Sequence, residues 1–204
     1  QNTGSNSPRF LHQLQEARKR GCRLVAFNPV RETGLLRFKN PQSPAQMLGR
    51  PTAMSDLYLQ VRPGGDLAAL TGLVKHVLEL DARAPVLDRD FIAAHTTGFA
   101  ALAQFAAAAE WDDIERESGL SRAHLEEVAA LYAAAPATIA MFGMGLTQHV
   151  RGGETLQMLV NLLLLRGNIG RRGAGISPVR GHSNVQGQRT VGIAERPELV
   201  PLDK

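Results

Sequence analysis

The 204-residue chain carries 44% hydrophobic and 21% charged residues, the composition of a globular domain with its own core. Its net charge of +4 and its 5% of aromatic residues do not suit base stacking, so no nucleic-acid partner is predicted. A single cysteine, Cys22, excludes an intrachain disulfide framework or a cysteine-based metal site, and no apolar run reaches the roughly 20 residues of a membrane span.

The amino-terminal part of the chain predicts alternating helices and strands. Apolar residues recur at helical spacing over residues 8–20. Residues 22–27 predict a short buried strand, in which Cys22 is interpreted as a small buried residue. A second strand is predicted over residues 57–61, followed by an apolar helix over residues 67–80. The succession of helix, glycine, strand and polar loop favours a parallel sheet.

The remaining elements complete one partial domain over residues 1–204. Residues 81–135 predict a mostly helical insertion, residues 138–142 a third strand and residues 154–166 an apolar helix. The glycine-rich stretch 167–192 is too long for an ordinary connector, so it predicts an irregular loop that wraps a large anionic ligand. We therefore predict an α/β fold: a doubly wound, mostly parallel sheet with helices on both faces, whose ligand binds at the carboxyl ends of the strands.

Polar residues follow the first two predicted strands. Asn28 stands where a side chain commonly contacts a ribose or base, although Asn28-Pro29 also serves to end a strand. In Arg62-Pro-Gly-Gly-Asp66, the glycines allow backbone to approach a flat ring, and the Asp66 carboxylate suits a guanine edge. The same segment also suits a tight turn in which Asp66 caps the next helix. The residues alone leave both alternatives open.

A glycine segment, Gly143-Met-Gly-Leu-Thr-Gln-His149, follows the third predicted strand. Its spacing is weak evidence for a phosphate-binding loop because Gln148 occupies the sixth position, where a glycine is expected. His149 is interpreted as a structural hydrogen-bonding residue. The histidines on predicted helices have no carboxylate or cysteine at metal-ligand spacing, so no metal-binding residue is predicted among His12, His76, His95 and His124.

Taken in order, these motifs resemble the molybdopterin oxidoreductase family, above all the catalytic subunits of formate dehydrogenases and their formate-dehydrogenase-like relatives. The resemblance covers nearly the whole chain. Its most specific parts are Gly143-Met-Gly-Leu-Thr-Gln-His149, Gly167-Asn-Ile-Gly170, Gly173-x-Gly175 and Pro178-Val-Arg-Gly-x-x-Asn-Val-Gln-Gly187. It implies that the chain is an internal fragment of a longer protein.

The resemblance implies a bis(molybdopterin guanine dinucleotide) cofactor that holds molybdenum or tungsten. It also implies that the metal-ligating residue and a 4Fe-4S cluster lie upstream of Gln1. One nucleotide is expected to contact Asn2, Asn28, Arg31, Gly64 and Asp66. The other cofactor-binding residues, mostly around the pterin, are expected to be Gly143, Met144, Gln148, Gly181, Asn184, Val185, Gln186 and Gly187.

Two residues are expected to act on the substrate. Arg180 matches the family arginine near the metal, and its planar guanidinium suits bidentate binding of a carboxylate. His182 is a candidate for donating or accepting a proton. Formate dehydrogenases usually carry Asp at the position of Asn28 and Gln at that of His182, so the formate-dehydrogenase-like branch matches better.

The resemblance implies two-electron oxidation of formate or a similar small carboxylate by the full-length protein, with an electron-acceptor protein or subunit as a possible partner and a cytoplasmic location. The fragment alone is expected to be inactive because the metal ligand lies outside it. Two alternatives stay open. One is a noncatalytic nucleotide-binding or scaffold module of the same fold, and the other is a reductase of oxo-anions or N-oxides from the same family.

Overall fold

The computed structural model describes residues 2–179, 181–182 and 184–193. Short strands alternate with helices along this part of the chain. The strands are β1 (Val25–Phe27), β2 (Arg37–Phe38), β3 (Thr52–Ala53), β4 (Leu57–Leu59), β5 (Ile139–Phe142) and β6 (Gly175–Pro178). The helices are α1 (Thr3–Asn6), α2 (Arg9–Lys19), α3 (Thr33–Leu36), α4 (Pro44–Leu48), α5 (Asp66–Asp81), α6 (Arg89–His95), α7 (Phe99–Ala108), α8 (Trp111–Ser118), α9 (Arg122–Ala134), α10 (Met144–Thr147), α11 (Gly152–Leu164) and α12 (Val185–Thr190).

Two parallel strand pairs form the framework. Strand β1 pairs with β4, and β5 pairs with β6, while β2 and β3 form a small antiparallel pair. The predicted α/β class is confirmed. On β5, Ile139 and Met141 are exposed, while Ala140 and Phe142 are partly buried. In the described part of the chain, helices therefore leave this face of β5 uncovered.

Helix α5 is the centre of the core. It packs against α8, α9 and α11, and most of its side chains are buried. Gly72 permits the close approach, because a Cβ there would lie 2.9 Å from Leu125 Cδ1 and 3.0 Å from Ile114 Cγ2. Burial of each large aliphatic side chain stabilises the fold by about 1.5–3 kcal/mol. The buried residues of α5 include Leu67, Ala69, Leu70, Leu73, Val74 and Val77.

Polar groups hold the ends of the inserted helices. The Asp81 carboxylate accepts hydrogen bonds from the backbone N–H groups of Val86 and Leu87, both at 2.9 Å, and pairs with Arg89. Ser121 caps α9, as its position before the helix predicts. Within the described residues, no single helix combines the length and the apolar composition of a membrane span. The bent pair α6 and α7 passes that test, by length and composition alone.

The long periodic segments were the easiest to predict. The helices predicted over 8–20, 67–80 and 154–166 correspond to α2, α5 and α11, each within a few residues. The prediction for Cys22 was wrong, because β1 begins only at Val25 and Cys22 lies exposed in the turn after α2. The prediction of an irregular loop over 167–192 was also wrong in part, because β6 and α12 both lie inside it.

Candidate functional site

The loops after β1, β4, β5 and β6 leave from the carboxyl ends of parallel strands. We call the surface formed by residues 28–34, 60–66, 143–149 and the described part of 179–187 the carboxyl rim. Within each pair a hydrogen bond continues past the last ladder residue: Asn28 N donates to Leu59 O at 2.9 Å, and Val179 N donates to Phe142 O at 2.7 Å. The predicted site residues of each pair are thereby brought to one edge, as open parallel sheets favour.

The buried side chain of Asn28 stabilises the first rim loop through hydrogen bonds. Its side chain is 4% exposed, its Nδ2 donates to Asn2 Oδ1 at 2.6 Å, and its Oδ1 accepts from Val30 N at 3.0 Å. The Tyr58 hydroxyl donates to Val30 O at 2.6 Å and holds the same loop from β4. Asn28 therefore orients Asn2 and shapes the loop, while the neighbouring Arg31 is exposed to solvent.

Glu32 joins the short helix α1 to this loop. Its carboxylate accepts hydrogen bonds from the backbone N–H groups of Gly4 at 3.1 Å, Gly34 at 3.1 Å and Leu35 at 2.9 Å. A Cβ on Gly4 would lie 2.1 Å from Glu32 Oε1, so a larger residue there would displace the carboxylate. Beside it, Thr3 is buried, and its hydroxyl has no hydrogen-bond partner in the protein. An unsatisfied buried hydroxyl is a polar group that a ligand at this loop can satisfy.

The segment Arg62-Pro-Gly-Gly-Asp66 forms a tight turn. Gly65 N donates to Arg62 O at 2.8 Å, and Gly64 has φ +81, the conformation that a type II turn requires at its third residue. The Arg62 guanidinium donates to Arg116 O at 2.6 Å, at the end of α8. The predicted tight turn is therefore confirmed, but the predicted Asp66 cap was wrong, because Gly65 stands at the N-cap of α5 and no side chain caps the helix. The contact of Asp66 with a guanine edge stays a prediction.

Asp66 and His149 bring the second and third loops together. Burial raises the pKa of Asp66, and its own backbone N–H and the nearby His149 oppose that rise. A Cβ on Gly64 would lie 3.7 Å from His149 Nδ1, so the imidazole lies over the glycine turn. The sequence interpretation of His149 as a structural hydrogen-bonding residue stays a prediction, and its position over Gly64 comes from the structure. Its place at the end of a glycine loop after a strand was the signal available.

The segment 143–149 presents side chains at the start of α11. Gly143 precedes the short helix α10, Met144 is 45% exposed and Gln148 is exposed. A Cβ on Gly152 would lie 2.5 Å from Thr147 O, so a glycine is needed where α10 meets α11. Met144 and Gln148 are thus held on a fixed support while their side chains remain open to a ligand.

The fourth loop lies next to the third. Gly181, His182, Asn184 and Gln186 are exposed, while Val185 and Gly187 are partly buried. Asn184 has φ 52, and a Cβ on Gly187 would lie 2.3 Å from the Asn184 amide atoms. The Asn184 side chain therefore turns back over Gly187. Arg180, the predicted carboxylate-binding residue, lies outside the described residues, and its role stays a prediction.

The first residues of the predicted wrapping loop make structural contacts, and the wrapping of a ligand by residues 167–192 stays a prediction. Asn168 is completely buried, donates to the Tyr132 hydroxyl at 3.0 Å and accepts from Thr138 N at 3.2 Å. Arg166 donates to the carbonyl oxygens of Val86 and Ala135 at 2.6 and 2.8 Å. These contacts attach the end of α11 to β5 and the helical insertion. The Arg166 guanidinium is thus occupied by backbone carbonyls.

The rim suits a large ligand that carries phosphates and bases. Added Cβ atoms at Gly145 and Gly181 would meet nothing within 4 Å, so the backbone there is open to close approach. The unpartnered Thr3 hydroxyl and the partly buried Asp66 carboxyl offer hydrogen-bonding groups at the first two loops. Amide side chains of Asn2, Gln148 and Gln186 add further donors and acceptors. This donor set fits the dinucleotide cofactor that the resemblance implies.

A groove of about 400 Å³ lies beside the rim, between the α6–α7 turn and α11. Its lining includes Leu67, Phe99, Phe105, Arg151 and Met158. The groove adjoins the rim because two of its lining residues are close in the chain to rim residues. Leu67 is next to Asp66, and Arg151 is two residues after His149. None of the predicted site residues is among its lining residues.

Comparison with family models gives no match for this chain. Among curated proteins, Protein YdeP of Escherichia coli O6:H1 is 49% identical over 210 residues, covering 100% of this chain and 28% of the relative. The uncharacterized oxidoreductase Mb2924c of Mycobacterium bovis is 43% identical over 209 residues, covering 100% of this chain and 27% of the relative. Formate dehydrogenase H of Escherichia coli K12 is 26% identical over 192 residues, covering 94% of this chain and 24% of the enzyme.

Among solved structures, acetylene hydratase from Pelobacter acetylenicus matches with a TM-score of 0.63 and 20% sequence identity, over 79% of this chain and 19% of that chain. This likeness supports the fold. The chain thus spans 28% or less of the length of each of these relatives.

Proposed function

Since this chain belongs to the molybdopterin oxidoreductase family, as a relative of formate dehydrogenases, we propose that the complete protein is a molybdenum- or tungsten-dependent oxidoreductase and that this segment holds part of its cofactor. The cofactor in this proposal is bis(molybdopterin guanine dinucleotide). The observation that carries the proposal is the convergence of four polar loops on the carboxyl rim, with His149 of the third loop over the Gly64 turn of the second.

Asp66 is the proposed contact for a guanine base. A guanine edge presents two N–H donors, and a carboxylate accepts both. Because burial raises the pKa of Asp66, its ionised form needs compensating hydrogen bonds, which such an edge supplies. The His149 imidazole lies against Gly64, and a base that reaches Asp66 can pack beside it.

The second group of residues is proposed to hold the pterin and the substrate. Gln148, Asn184 and Gln186 present amide groups at the adjacent ends of β5 and β6. When bound, the cofactor supplies a metal centre that accepts two electrons from the substrate. Arg180 is proposed to bind the carboxylate of formate or a similar small acid, and a His182 ring nitrogen to take up or release a proton beside it.

The experiment is a content analysis of the full-length protein. We expect molybdenum or tungsten by mass spectrometry, and two guanines for each metal atom after acid release, as the bis form of the cofactor contains. Formate oxidation coupled to an artificial electron acceptor then tests the substrate. A protein with neither metal nor guanine would contradict the proposal and favour the noncatalytic scaffold. Reduction of an N-oxide or oxo-anion without formate oxidation would change the proposed reaction and keep the cofactor.

Arg180→Lys tests the substrate-binding part separately. Lysine keeps the charge and loses the bidentate geometry, so we expect metal and guanine contents to stay normal while turnover falls by about 100-fold. Arg172→Lys is a matched control, because Arg172 is an exposed arginine in the turn before β6. Equal turnover of the Arg180 variant and the wild type would remove Arg180 from the reaction.

A further inference from the structure

A buried histidine meets two glutamates between helices α5 and α9. His76 Nδ1 lies 2.9 Å from Glu79 Oε2, one turn along α5, and 3.8 Å from Glu126 Oε1 on α9. The His76 side chain is 9% exposed, and the glutamate side chains are 31% and 33% exposed. The prediction that His76 has no carboxylate at metal-ligand spacing was therefore wrong. Glu79 stands at the ordinary helical spacing of three residues, and only the folded chain brings in Glu126.

The three side chains have the spacing of a metal site. One ligand atom from each residue lies within 4.8 Å of the other two. Ligands bound tetrahedrally to Zn²⁺ at about 2.1 Å are about 3.4 Å apart, and the two distances from His76 bracket that value. Small side-chain rotations therefore suffice to enclose an ion. Imidazole nitrogen and carboxylate oxygen are both ordinary ligands of Zn²⁺, which also accepts water at a fourth position.

The local charge favours a cation. Arg122 Nε donates a hydrogen bond to Glu126 Oε1 at 2.7 Å, so a cation already lies on this carboxylate. Three glutamates (Glu79, Glu115 and Glu126) lie near two arginines (Arg83 and Arg122), so carboxylates outnumber guanidinium groups around this cluster. Arg122 keeps a second partner if Glu126 turns to an ion, because its guanidinium lies 4.8 Å from the centre of the Trp111 ring.

The histidine can change from hydrogen-bond donor to ligand without gaining charge. An ionised carboxylate only accepts hydrogen bonds, so His76 Nδ1 carries the proton in its contact with Glu79. When Nδ1 binds a metal ion, that proton moves to Nε2 and the imidazole stays neutral. The ion then joins α5 directly to α9. Of the described elements, α9 makes the most extensive contact with α5.

We propose that His76, Glu79 and Glu126 form a binding site for a divalent transition-metal ion, best matched by Zn²⁺, that fastens α9 to the central helix α5. The site lies about 15 Å along α5 from Asp66, at 1.5 Å per residue, and is separate from the carboxyl rim. Its role is structural, because it stabilises the packing of the helical insertion against the core.

The experiment is zinc titration of the chelator-treated full-length protein by isothermal titration calorimetry, with unfolding followed in parallel. We expect one Zn²⁺ to bind with micromolar affinity and to raise the Tm by several degrees. Glu126→Gln and His76→Gln should each weaken this event by more than about tenfold. His95→Gln is the matched control, because His95 is an exposed histidine on α6. If His76→Gln fails to fold, the partly exposed Glu126 still provides the test.

Arg122→Gln separates a metal site from a simple hydrogen-bonded cluster. Removal of this competing cation frees Glu126, so zinc affinity should rise several-fold. Weaker zinc binding by this variant would overturn the proposal. Equal zinc uptake by wild type, Glu126→Gln and His95→Gln would overturn it as well.

Discussion

Asp66→Asn is the substitution that separates the proposed cofactor-binding role of the rim from its structural role. Asparagine keeps the size of the side chain and replaces one acceptor oxygen by an NH₂ donor, which would face a donor of guanine. A hydrogen bond to a charged group contributes about 1.5–3 kcal/mol, and asparagine still offers one acceptor. The expected loss is therefore about 2–4 kcal/mol, or about 30- to 1000-fold in affinity.

The assay follows the release of the cofactor from loaded full-length protein. Changes in affinity within one site act mainly on dissociation, so guanine should appear in the filtrate faster by a similar factor. Because the pKa of Asp66 is raised in the cofactor-free protein, the equilibrium affinity for the cofactor should fall as the pH falls towards that pKa, since protonation removes an acceptor for the guanine edge. Asp113→Asn, an exposed change on α8, is the control. Wild-type release rates in Asp66→Asn would refute the assignment of this residue.

Three further predictions concern the fold that supports the rim. Asp56→Asn removes the carboxylate that pairs with Arg18 and should lower the free energy of unfolding at pH 7 by about 3 kcal/mol. Gly65→Ala places a Cβ 2.5 Å from Glu117 O and should cost about 1–3 kcal/mol through overpacking. Tyr132→Phe removes a buried hydroxyl that donates to Leu162 O at 2.6 Å and should cost about 1–3 kcal/mol. Chemical unfolding followed by circular dichroism measures all three.

Each of these three substitutions has its own pH dependence, control variant or contradicting result. Burial opposes ionisation of Asp56, but the Leu24 N–H and the guanidinium groups of Arg18 and Arg23 outweigh it and lower its pKa. This stabilisation is therefore present above the unfolded-state pKa of 3.8 and is lost as the pH falls through the lower folded-state pKa. The free energy of unfolding that Asp56→Asn loses should consequently become smaller in acid. Gly145→Ala should be neutral or stabilising, because a Cβ there meets nothing within 4 Å. If Tyr132→Phe lowers the free energy of unfolding by less than about 0.5 kcal/mol, that result would contradict a stabilising role of the Tyr132 hydroxyl.

Burial of the Tyr132 hydroxyl raises its pKa to about 12, which fits a group that stays protonated and donates to Leu162 O. It also accepts from Asn168, so one tyrosine connects α9, α11 and the segment before β6. The sequence shows an apolar helix face around Tyr132. It contains nothing that identifies Asn168, 36 residues away, as a hydrogen-bond partner of the Tyr132 hydroxyl. The prediction of an irregular loop over 167–192 was wrong in part for a similar reason, since glycine content does not show where β6 and α12 form.

The fold and the positions of the rim loops were predictable because they depend on local patterns. Hydrophobic periodicity identified α5 and α11, and polar residues after each strand identified loops that parallel pairing brings to one edge. The contacts that shape the loops were not predictable, because they join residues far apart in the chain. Glu32 bonds to Gly4 across 28 positions, and His149 lies over Gly64, without any spacing that would indicate either.

An experimental structure of the loaded full-length protein would locate the cofactor relative to the carboxyl rim. We expect a guanine base within about 3 Å of the Asp66 carboxylate, beside Gly64 and His149, with the rest of the cofactor along the loops after β5 and β6. A cofactor bound elsewhere, with the carboxyl rim covered by protein, would contradict the account.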